Sequence, residues 1–185
     1  MRSMIASLLI LLLGNGAALA HAFNLLLVVP ADDPVADDMR RAVLLAAEER
    51  DGHPDNHSDG HLGGLDVYVT LSTGLSDPDN WAEAEPDIVL DVLHTPVSIH
   101  MDDDPEWLAI FGPQLGRLDR DAVLGAAADP AFPPFAARFR AATGRDPGPE
   151  AEAAYLGARL IDLIVRPLDD ASDPAALFRE LDRLD

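Results

Sequence analysis

The sequence predicts an α/β fold: a single three-layer domain over residues 23–185, with a mainly parallel sheet and helices on both faces. Three observations carry this expectation. Residues 23–30, "FNLLLVVP", are continuously apolar, as a strand buried on both faces must be. A helical signal, "DDPVADDMRRAVLLAAEER", follows at once. Further strand signals then recur at separations long enough for crossover connections, the pattern of parallel pairing.

Each element has a local reason. The chain opens with "MRSMIASLLILLLGNGAALAHAF", where one arginine precedes an apolar run and small residues stand at Ala18, Ala20 and Ala22. This is the pattern of a secretory signal peptide, residues 1–22, cleaved after Ala20 or Ala22. The run falls short of the ~20 residues that span a bilayer, and no stop-transfer segment follows. Asp32 or Asp33 can cap the first helix, with Pro34 at its start and Asp37 and Asp38 at the positive end of its dipole. Val35, Met39, Val43 and Ala46 then share one face.

"GGLDVYVTLS" alternates as a second strand through Val67, Val69 and Leu71, "PDIVLDVL" supplies a third, and "TPVSIHM" a fourth entered through Pro96. Between the second and third, "DNWAEAE" offers barely two helical turns. Beyond residue 104 the chain is expected to be helical, first in short pieces within "DDPEWLAIFGPQLG" and "LDRDAVLGAAADP". "PPFAARFRAATG" ends at a glycine cap, Gly144. "GPEAEAAYLGARLIDLIVRP" opens at Pro149, stops before Pro167, and carries the stripe Ala153, Leu156, Leu160 and Ile164. "SDPAALFRELDRLD" starts with Ser172 or Asp173 as cap.

Composition narrows function. The formal net charge is −20, and no lysine is present. Nucleic acids and anionic membrane surfaces are repelled by such a chain. The absence of cysteine removes disulfides and thiolate metal sites. No nucleophile elbow, phosphate-binding glycine loop or catalytic histidine pattern occurs, so an enzyme is not expected.

Two stretches, taken together, carry a family resemblance. The first is "RRAVLLAAEERDG" followed by "HLGGLDVYVTLS". The second is "FPPFAARFRAATGRDPGPEAEAAYLGARLIDLIV", with Phe135, Phe139, Gly144, Pro147 and Tyr155 in order. Together they resemble the type I periplasmic solute-binding proteins, the leucine/isoleucine/valine-binding family of ABC importers. Those proteins are longer and close two lobes on a ligand; the matching pieces both belong to the first lobe, so this chain resembles one isolated lobe. The resemblance implies a flavodoxin-like, three-layer lobe in the periplasm. It also implies a binding or accessory role in transport or sensing. The partner would be a small-molecule ligand or a periplasmic protein, with an ABC transporter permease among the candidates.

A ligand edge in such a sheet lies at the C-terminal ends of the parallel strands. The loops placed there are "ADD", "STG" and "HTP", which nominate Asp32, Asp33, Ser72, Thr73, His94 and Thr95. Ser72 and Thr73 are similar to the hydroxyl-bearing loop that holds a ligand carboxylate in the family. Asp32 and Asp33 are placed to meet an ammonium, and no arginine stands in these loops to clamp a carboxylate.

A separate alternative is a divalent-metal site in "DGHPDNHSDGH" (51–61), at the opposite end of the sheet, which would make this a periplasmic metal-binding protein. His53, His57 and His61 are imidazole donors suited to zinc, copper or nickel. Asp55, His57, Asp59, Gly60 and Asp66 instead run in register with a calcium loop, although His57 replaces an oxygen donor. A solvated connecting loop explains the same residues without any ligand. His100 and Asp102, Asp103 and Asp104 form a further acidic cluster beside a helix start.

Overall fold

The computed structural model of the chain describes residues 22–50, 57–73, 84–93 and 107–184. Residues 1–21, the expected strand at 95–101, most of "DNWAEAE", and His53, Asp55, His94, Thr95, His100 and Asp102–Asp104 lie outside them.

The elements are β1 (Ala22–Val28), α1 (Asp33–Ala47), β2 (His61–Leu62), β3 (Leu65–Ser72), β4 (Ile88–Asp91), β5 (Leu108–Phe111), α2 (Arg120–Gly125), α3 (Phe135–Thr143), α4 (Pro149–Val165) and α5 (Pro174–Asp182). A 3-10 turn extends α1 over Glu48–Arg50, and a six-residue 3-10 segment follows β5 over Gly112–Arg117. The five strands form one mixed sheet in the order β2-β3-β1-β4-β5. β3, β1, β4 and β5 are parallel, and only the two-residue edge strand β2 is antiparallel, folded onto β3 through Gly63-Gly64. Gly63 holds φ +66° and Gly64 φ +95°, left-handed values that suit glycine.

β1 is central, and from Leu25 to Val28 its residues are buried on both faces, as the apolar run requires. Phe23, Leu25, Leu27 and Val29 face one layer with Ile88, Leu90, Leu108 and Ile110, and there they meet Met39 and Val43 of α1, Phe135 and Phe139 of α3, Leu160 and Ile164 of α4, and Leu177 and Leu181 of α5. Leu26, Val28 and Val89 face the other way, where Ala84 and Trp107 pack against them. Among the described residues the helices therefore gather on one face, where the sequence predicts helices on both.

Helix boundaries follow the local signals. Gly144 caps α3 at φ 77°, Pro149 starts α4, and the Asp173 carboxylate accepts from the Ala176 N–H at the start of α5. α1 starts with Asp32 as its N-cap residue, but the Asp32 side chain makes no capping hydrogen bond; its carbonyl accepts from Val35 and Ala36. The stripe expected on α4 is wider than four positions. Ala153 is only half-buried, while Ala151, Ala154, Tyr155, Gly157, Ala158 and Ile161 are buried with Leu156, Leu160 and Ile164, because this helix lies between α1 and the sheet edge of the core.

One element differs from expectation. Residues 108–111, "LAIF", were assigned to a helix by sequence and form β5, parallel to β4 from Ile88–Leu108 to Asp91–Phe111. A four-residue apolar run has no resolvable period, and pairing with a buried strand decides its conformation. Gly112-Pro113 then ends the strand.

Candidate functional site

In parallel sheets of this kind, ligands bind outside the carboxyl ends of the strands, where the strand order reverses direction. Here β1 connects to β3 on one side, and the chain next enters the sheet at β4 on the other, so the reversal lies between β1 and β4. The residues leaving these strands are Val29-Pro30-Ala31-Asp32 and Val92-Leu93.

Two buried polar side chains stand at this edge. Ser72 ends β3 at 1% exposure and Asp91 ends β4 at 0%. Ser72 pairs with Val28, and Leu90 with Leu27 one residue earlier, so Ser72, Val28 and Asp91 are level across three strands. All three point to the face opposite the helical core, the side of Leu26 and Val89. Two strand spacings put the Ser72 and Asp91 backbones about 10 Å apart, a span suited to a small molecule. The Ser72 carbonyl accepts from Val29 N at 2.8 Å, which ties the two strand ends together, and Asp91 Oδ1 accepts from Leu93 N at 3.1 Å, which turns the chain at the end of β4. On β3 the same face is open below Ser72, where Tyr68 and Thr70 are exposed.

Of the residues nominated from sequence, Asp32 and Thr73 are exposed at this edge and Ser72 is buried in it. Asp91 was missed. Its signal was present: a lone carboxylate at the end of the apolar run "IVLD" is costly to bury and marks a strand end with a polar task.

The metal candidates are placed differently. Asp59 is engaged by the protein itself, accepting from Arg40 Nη2 at 3.1 Å and from Val69 N at 2.9 Å. His61 Nε2 lies 2.8 Å from Asp66 Oδ1, which Ser58 Oγ also approaches at 3.3 Å, while His57 is exposed. Asp59 and Asp66 thus brace the entry to β3. Among the described residues no three histidine or acidic side chains are gathered as a metal set.

A second polar cluster lies on the helical side, where α1 ends. Glu49, 1% exposed, accepts from Arg138 Nη2, the Tyr155 hydroxyl, Arg159 Nη1 at 3.0 Å and Ala128 N. Arg138 also donates to Leu45 O at 2.7 Å, closing the C-terminal end of α1, and to Pro133 O at 3.1 Å. Tyr155 stacks on Phe135 with ring centroids 4.2 Å apart. Burial, and next the Glu49 carboxylate, oppose the phenolate and push the Tyr155 pKa up to about 12. With both Glu49 oxygens committed to protein donors, this cluster is a clamp joining α1, α3 and α4 and not a ligand site.

Among the described residues no helix is long and apolar enough to cross a membrane. No protein-family model, curated protein or solved structure matches the chain.

Proposed function

We propose that this chain is an exported binding or accessory protein, a single three-layer lobe of the type I solute-binding kind. It takes a small molecule at the carboxyl edge of its sheet and serves transport or sensing in the periplasm without catalysing a reaction. The observation that carries this is the buried pair Ser72 and Asp91, level with each other on either side of β1 at the reversal of strand order. The four parallel strands, taken in chain order, run second-first-third-fourth across the sheet, the order of flavodoxin-like lobes. The leader-like N-terminus supports export, and an ABC transporter permease or another periplasmic protein is the partner that such a lobe would serve.

A thermal-shift screen with amino acids, small carboxylates, alcohols and amines tests this, because a ligand that binds only the folded chain raises its melting temperature. The expected result is at least one stabilising compound whose effect is lost in Ser72→Ala. A protein insensitive to the whole panel would not be a solute-binding lobe.

A further inference from the structure

We draw no further inference here: the strongest candidate, the apolar sheet face opposite the helical layer, where Leu26, Val28 and Val89 are fully buried and meet Ala84 and Trp107 among the described residues, carries nothing because nothing in the structure shows what else covers it.

Discussion

The Tyr155 hydroxyl donates to the Glu49 carboxylate across 106 positions of chain, joining the end of α1 to the middle of α4. Arg138 and Arg159 approach the same carboxylate, and both guanidiniums are largely buried. Such a pair adds little net stability over an apolar substitute, but removing one side strands the other.

Glu49→Ala should therefore destabilise the fold by about 3–5 kcal/mol, since it leaves two buried cations unmatched. Tyr155→Phe, which removes one hydroxyl donor, should cost about 1–3 kcal/mol. Urea denaturation with unchanged slope would measure both. A Glu49→Ala variant as stable as the parent would show that the carboxylate is not holding the three helices.

The Tyr155 phenol also sets an alkaline limit. Its folded pKa, about 12, lies above the ordinary 10.0, so the folded state holds the proton more tightly. The resulting stability is complete below pH 10 and is lost as pH rises from 10 toward 12. In Tyr155→Phe this part of the alkaline decline should be absent, leaving a shallower fall in melting temperature over that interval.

Asp87, whose carboxylate accepts from Asn24 N at 2.8 Å, has its pKa raised, mainly by burial and further by Asp170. A raised carboxylate pKa favours the neutral form in the fold, so this contribution is present below the ordinary value of 3.8 and is lost as pH rises through the higher folded value. Asp87→Asn keeps an acceptor for Asn24 without the charge. It is expected to be at least as stable as the parent at pH 7 and less stable relative to it at pH 3.

Gly63 is fixed by two constraints at once. Its φ is +66°, and a Cβ there would stand 2.5 Å from Val165 Cγ1 and 2.9 Å from Arg166 N, while its N–H donates to Asp162 Oδ1 at 2.8 Å. Gly63→Ala should cost at least about 1–3 kcal/mol through overpacking alone. Gly116→Ala, with nothing within 4 Å of the added carbon, should change stability by less than about 0.5 kcal/mol. Equal melting temperatures for the two variants would contradict the packing of β2 against α4.

What the sequence revealed of this fold was what local chemistry encodes. β1 was legible because its apolar run is continuous, and α1, α3, α4 and α5 because Pro34, Gly144, Pro149 and Asp173 punctuate them. β5 was not, since "LAIF" reads equally well as a helical turn until β4 lies beside it. Ser72 could be placed at the ligand edge from the strand end alone. Asp91 ends its apolar run in the same way, but its position level with Ser72 across β1 is visible only in the folded sheet. The role of Glu49 has no local signal, since its partners Arg138 and Tyr155 are 89 and 106 positions away.

The location of binding can be measured directly by amide hydrogen exchange followed by mass spectrometry, with and without a saturating compound found by thermal shift. Protection is expected in peptides covering residues 29–32, 72–73 and 91–93, the carboxyl edge flanking β1. Protection confined to residues 57–66, at the opposite end of the sheet, would contradict a ligand site built on Ser72 and Asp91.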